Sequence, residues 1–340
     1  VEGKPIVFRS LQRHAAIIKG SDVWTTEWVD ESGGIWSGAV DESLFTDTAH
    51  ADGANPFRIA SSATPWGRDG RPEHARAAAG AQGFGKDADP DLVYTLGQVF
   101  VDGTILKQVP FREELAEAPG SWWFNAASGR LFVHFPRRVD GAPSRPQDHS
   151  VEISTRRRIF APHVRGLGHI EVEGFVLEHC GNQYPADFWR RDKPEWQQAG
   201  AIGPRSGHHW RISHNVIRHA NGIGIDLGAE GSTEADLERP VPGHARDAQF
   251  RRHPPGYHVV EGNEILANGA AGTANYGGTH LILRRNVVMR NNALGFTGTK
   301  RWESGGIKLH APHHSVIEGN LIADNFGRWG LWLDGGAGER

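Results

Sequence analysis

The carboxyl-terminal half of the chain repeats itself, and the repeat is too short to fold alone. From residue 169 onward the segments "HIEVEGFVLEHC", "HWRISHNVIRHA", "YHVVEGNEILAN", "HLILRRNVVMRN" and "HSVIEGNLIADN" follow one template. Each runs from His or an aromatic through a short β-prone stretch, a tight turn, a second β-prone stretch and a polar end. Gly174, Asn215, Asn263, Asn286 and Asn320 mark the turn. Asn and Gly are the residues that best tolerate a left-handed corner, so these positions are expected to be the corners. Units this short bury no face of their own. Stacked, they bury one continuous core, which is the logic of a solenoid. The interval from Asn263 to Asn286 is 23 residues, one coil. The expected architecture is all-β: a right-handed parallel β-helix.

The region 21–150 lacks this rhythm and carries hairpin signals instead. "VFVDGTILKQV" turns at Asp102-Gly103 and "WWFNAASGRLFVHF" turns at Ser128-Gly129. It reads as an antiparallel β-sandwich inserted after a first part of the β-helix in residues 1–20, with 151–340 completing the helix and carrying its cleft. "PIVFRS" and "AAIIKGSD" then form an early coil. The polar stretch 64–91 reads as a loop. Two further insertions, 181–200 and 228–256, read as cleft walls, because long loops in a compact fold are commonly functional.

Composition narrows the function classes. A net charge of −3 over 340 residues gives no broad basic surface for nucleic acid. No apolar run approaches the ~20 residues of a membrane-spanning helix. The single Cys180 rules out an intrachain disulfide. The compartment stays open between bacterial cytoplasm and secretion. Most of the 12 tryptophans are expected in the core, although aromatic faces also suit sugars. "VEGKPIVFRS" at one end and the stop six residues after Asp334 lead to the expectation that the chain is a piece of a longer protein or pairs with another chain.

Two late segments carry the chemistry. Gly306-Ile307-Lys308-Leu309-His310 matches Gly330-Leu331-Trp332-Leu333-Asp334 at an offset of 24, about one coil. Parallel neighbours lie about 4.8 Å apart. Lys308 is therefore expected beneath Trp332 and His310 beneath Asp334, all four on the outer face. "GIGID" (222–226) has the same form and puts Asp226 at a similar place. "TANYGG" (273–278) offers Asn275 and Tyr276, and Glu303 lies just upstream. Carboxylates, a cation and rings on one rigid sheet can hold a sugar. The pairs His208-His209 and His313-His314 show no third ligand by spacing, so no metal site is expected there.

The segments "GGIKLHAPHHSVIEGNLIADN" and "GLWLD" resemble the β-helix β-xylosidases of glycoside hydrolase family 120 and their relatives. "GKPIVF", "IIKGSDVWTTEW", "GGIW", "QVFVDGTILKQV" and "WWFNAASGRLFVHF" resemble the amino-terminal half of that family, and "AGAIGPRSGHHWRISHNVIRHANGIGI" its middle. The resemblance implies a β-helix interrupted by a β-sandwich and retaining hydrolysis by two carboxylates. It implies Asp334 as nucleophile and Glu303 as a ligand of sugar hydroxyls. The family's acid/base glutamate follows about two dozen residues after the nucleophile, which places it outside this chain, in a missing segment or a second chain. Lys308, His310, Trp332, Asn275 and Asp226 are expected to bind substrate, an oligosaccharide or polysaccharide. No cofactor is expected apart from an optional structural calcium, and homo-oligomerisation is left open. Where the family has Trp after the nucleophile, this chain has Gly335 and Gly336, which leaves the sugar open. Two other readings remain at this point: a polysaccharide lyase or epimerase using Lys308 or His310 as base, and a non-catalytic glycan-binding β-helix.

Overall fold

The computed structural model describes residues 4–45, 55–58, 95–162, 166–182, 200–228, 254–294, 304–326 and 329–334. Two compact units emerge: Val1–Lys19 with Arg158–Arg340, and Gly20–Arg157. The loops expected at 64–91, 181–200 and 228–256, and Glu303, lie wholly or almost wholly outside the described residues. Among the described residues, no helix is long and apolar enough to cross a membrane.

The first unit is a right-handed parallel β-helix of three sheets. One sheet stacks Ile6–Arg9, Ile170–Glu173, Arg211–Ser213, Val259–Glu261, Ile282–Arg284 and Val316–Glu318, every neighbour parallel. The second stacks Ile17–Lys19, Val176–Glu178, Val216–Arg218, Glu264–Leu266, Val287–Met289 and Leu321–Ala323. The third stacks Gly200–Ile202, Ile223–Asp226, Ala271–Tyr276, Gly305–His310 and Leu331–Asp334. The strands are short because each coil must turn three corners. Their inward residues, among them Val172, Ile212, Val260, Leu283, Leu177, Ile217, Ile265, Val288, Ile225, Ile307 and Leu309, form one core.

The corners correct one expectation. Between the first two sheets the left-handed residues are Gly174, His214, Gly262, Arg285 and Gly319. Except at Gly174, these precede the asparagines by one residue. Asn215, Asn263, Asn286 and Asn320 sit there for a different reason. Each asparagine Nδ2 donates to a backbone carbonyl of the preceding coil, from Val172, Ile212, Val260 and Leu283 respectively. The first three also donate, from Nδ2 and backbone N, to Oδ1 of the asparagine one coil on. A second ladder runs through Asn268, Asn291 and Asn325 in the same way. Asn215, Asn263, Asn268, Asn286 and Asn291 are buried inside the helix, where every unmade hydrogen bond is costly, and the ladder satisfies donors and acceptors together. At Gly262 the corner also needs glycine for space, since a Cβ would come within 2.6 Å of the His214 ring.

The second unit is the inserted β-sandwich. One sheet orders Val29–Asp30, Ile35–Ala39, Arg130–His134, Ser121–Asn125 and Lys107–Gln108; the other orders Ser21–Val23, Val151–Ser154, Val99–Val101 and Thr104–Ile105. All pairings are antiparallel except that of Lys107–Gln108 with Ser121–Asn125. Both hairpins form at their glycine turns, with Asp102, Gly103 and Gly129 left-handed. Trp24, Phe57, Trp122, Phe124, Leu131, Phe135 and Ile153 fill the space between the sheets.

Candidate functional site

The third sheet brings the late segments together in the expected register. Lys308 pairs with Trp332 and His310 with Asp334, and Ile307 and Leu309 pair with Leu331 and Leu333. One coil earlier, Tyr276 pairs with His310 and Ala274 with Lys308. Alternation along a strand then gives two outward columns: Tyr276–His310–Asp334 and Ala274–Lys308–Trp332.

The outward face is not simply open. Lys308 Nζ lies 3.3 Å from the centroid of the Trp332 ring and donates to Asp334 Oδ2 at 2.6 Å. The lysine side chain is 1% exposed and the aspartate 41%. The ammonium is thus covered by an indole and tied to a carboxylate, whereas the carboxylate still faces solvent. His310 Nδ1 stands 3.6 Å from the same Oδ2, and the His310 ring packs against Tyr276 with centroids 5.1 Å apart. Trp329 packs against Trp332 at 5.4 Å. One oxygen of a part-exposed carboxylate therefore meets a buried cation and an imidazole, with aromatic rings at its side. A cation this close favours the ionised carboxylate, the form a nucleophile or a hydroxyl acceptor needs.

Two expected members stand elsewhere. Asp226 pairs with Ala274 and so falls in the Lys308 column, not in the column of His310 and Asp334. Aligning "GIGID" on Gly222 sets the repeat one glycine too early. Gly224, not Gly222, is the equivalent of Gly272 and Gly306, because that position abuts the asparagine ladder. A Cβ there would lie 2.7 Å from Asn268 Nδ2 at Gly224, 2.9 Å from Asn291 Nδ2 at Gly272 and 2.8 Å from Asn325 Nδ2 at Gly306. Asp226 is buried, and its Oδ1 accepts from Gly228 N. Asn275 pairs with Leu309 and turns inward. Its side chain accepts from Gly278 N and donates to the carbonyls of Gly278 and His310, closing the turn after the strand. Tyr276 takes the outward place, a position the 34-residue spacing to His310 could have shown.

Histidine supplies a second constellation. At another corner His169 lies beside the His208-His209 pair, and one nitrogen from each falls within 4.8 Å of the others. The third imidazole, 39 residues away in sequence, is one coil away in space. His314 stacks on His280 at 4.8 Å instead.

No family model matches the chain, and no curated protein matches it. Among solved structures, "The complex structure of XylC with xylose" aligns with a TM-score of 0.72 over 98% of this chain, at 22% identity. That likeness shows the fold. The chain spans 51% of the XylC chain. Another solved chain, described as "Glycoside hydrolase", aligns at 11% identity over 99% of this chain and 85% of that one; its TM-score of 0.38 is too low to carry an argument.

Proposed function

We propose that this chain is the nucleophile-bearing part of a retaining glycoside hydrolase acting on β-xylosides or related oligosaccharides. The observation that carries the reading is the Asp334 carboxylate, partly open to solvent, held by buried Lys308 beneath Trp332. Asp334 attacks the anomeric carbon, and the leaving oxygen takes a proton from a second carboxyl group. That group then deprotonates water to release the sugar. The second carboxyl is proposed to lie outside residues 1–340, as the family resemblance implies. Glu303 is proposed to bind hydroxyls. His310 reaches the same oxygen as Lys308 and orients the carboxylate, while the Trp332 and Trp329 rings offer a face to the sugar. The xylose in the XylC complex supports a pentose, and the resemblance of "GGIKLH" and "GLWLD" to the family's strand pair supports the assignment of Asp334.

The lyase reading is weaker on this geometry. Lys308 is buried and ion-paired, so it is not a base with access to a sugar proton, which leaves His310, 14% exposed, as the base that reading would need. The deciding experiment screens aryl glycosides against the chain in its natural polypeptide, with and without Asp334→Asn. Turnover that disappears in the variant while the thermal midpoint is kept supports the assignment. Unchanged turnover, or unsaturated products absorbing in the ultraviolet, overturns it.

A further inference from the structure

The corner that leads into the first sheet is built from rings. His169, His209, Tyr257, His280 and His314 occupy it in successive coils, and all five have left-handed backbones, with φ between 54° and 58°. The left-handed corner throws each side chain outward in the same direction, so the rings stack along the helix axis. Centroid distances are 4.9 Å for His169–His209, 4.8 Å for His209–Tyr257 and 4.3 Å for Tyr257–His280. His209 is held between two flat neighbours, its ring 1° from parallel with Tyr257.

His208 breaks the column and turns toward it. Its ring stands at 87° to His169 and 88° to His209, and it is 5% exposed. Gly168 makes room: a Cβ there would fall 2.1 Å from His208 Cε1. A parallel bridge joins Gly168 to His208, and His169 N donates to the His208 carbonyl at 3.2 Å. The backbone thus fixes three imidazoles on two adjacent coils. His208 Nδ1 and His209 Nδ1 stand 3.0 Å apart.

We propose that His169, His208 and His209 form a binding site for a borderline divalent transition-metal ion, Zn2+ being the first candidate and Ni2+ or Co2+ its analogues. The donor set decides the class. Among the described residues the donor set is three imidazoles with no carboxylate, which suits Zn2+, Ni2+ or Co2+ and does not suit Ca2+ or Mg2+, which take oxygen. The His208–His209 distance requires little change, and His169 already lies within 4.8 Å of both. Two nitrogens bound at about 2.0–2.1 Å to a tetrahedral ion lie roughly 3.3 Å apart, a few tenths more than the present contact. His169 completes the set by rotation of its ring, and water takes the fourth position. Bound there, the ion ties one coil to the next at a corner far along the sequence from Asp334, so the site is independent of the glycosidase reading.

The full chain, stripped with a chelator, is titrated with ZnCl2 by calorimetry alongside His169→Ala, His209→Ala and His314→Ala. The first two residues are outside the core, so folding is checked by circular dichroism and is expected to hold. One ion per chain is expected, with affinity falling at least about tenfold in each of the first two variants. His314→Ala, in the same ring column but outside the trio, should bind as the parent does. Zinc-edge absorption spectroscopy should report three imidazole nitrogens at the ion. The proposal is overturned by the absence of saturable binding, by variants at 169 and 209 that bind as tightly as the parent, or by a spectrum with fewer than three imidazoles.

Discussion

Lys308 and Asp334 form an ion pair whose two ends live in different environments. The ammonium is buried under the Trp332 ring, 2.6 Å from the carboxylate oxygen, while the carboxylate side chain remains 41% exposed. A carboxylate that must both stay ionised and meet a substrate needs this asymmetry. The cation is fixed and shielded, and the carboxylate keeps an open side, which the proposed function assigns to a sugar. In the register of the third sheet, one residue supplies the cation from the strand below and its cover comes from the strand above.

Lys308→Met tests that arrangement. Methionine fills the volume beneath Trp332 and removes the charge. Without the cation the ionised form of Asp334 loses support, so the carboxylate protonates at higher pH. The acidic limb of kcat/KM should move upward in pH, and the value at its plateau should fall by at least about tenfold, roughly 1.4 kcal/mol of transition-state stabilisation. A pH profile that stays in place would show that Lys308 is only a packing group.

The asparagine ladders make a separate prediction about stability. Asn286 donates to Val260 O and Asn320 Oδ1 and accepts from Asn263 N and Nδ2, all within the helix. Asn286→Ala should cost about 2–4 kcal/mol, because its neighbours keep buried groups with no partner. Asn286→Asp keeps the shape but replaces the amide donor with acceptors facing two other acceptors. It should destabilise at least as much as alanine at neutral pH. Denaturant unfolding of the three proteins measures both. A cost under about 0.5 kcal/mol in each variant, the low end for a single hydrogen bond, would mean the ladder contributes only register.

Ala267 occupies a left-handed corner, φ 51°, at the second turn of its coil. A Cβ in that conformation costs roughly 1–2 kcal/mol, and glycine in the unfolded chain gives part of that back. Ala267→Gly should therefore stabilise the β-helix by about 0.5–1 kcal/mol. A thermal midpoint that drops instead would show that the methyl packing outweighs the strain.

The repeat made the fold legible. Its segments announce strands too short to stand alone, and the offset of 24 between "GIKLH" and "GLWLD" gives the pairing of Lys308 with Trp332 and His310 with Asp334 directly. Inside the repeat the residue roles were harder to see. Asparagine is equally good at left-handed corners and at internal amide ladders, and only packing decides between them. The left-handed positions went to His214 and Arg285 as well as glycine, against propensity, because the ladder claims the next residue. Asp226 is misplaced by sequence for a related reason. "GIGID" contains two glycines, and the one that fixes the register is chosen by contact with Asn268. The third histidine at His208-His209 was hidden because the long insertion before residue 200 stretches one coil to about 40 residues, so spacing conceals a neighbour.

His219 carries a pH dependence of the β-helix. It stacks on His179 with centroids 5.7 Å apart. Burial pushes its pKa down to about 4, helped by the nearby charges of His179 and Arg218 and opposed by Glu178. In the unfolded chain an imidazole titrates near 6.5. Below that value the unfolded state takes up a proton that the folded state refuses. The contribution of His219 to stability is therefore complete above about pH 6.5 and declines as pH falls toward 4, by at most roughly 1.4 kcal/mol per unit. Unfolding free energies measured between neutral pH and pH 5 should fall along that slope. His219→Asn keeps a polar side chain of similar reach but cannot titrate, so its stability should change less over the same range. Parallel slopes for parent and variant would assign the acid sensitivity to other histidines, His258 first among them, whose burial pushes its pKa to about 3.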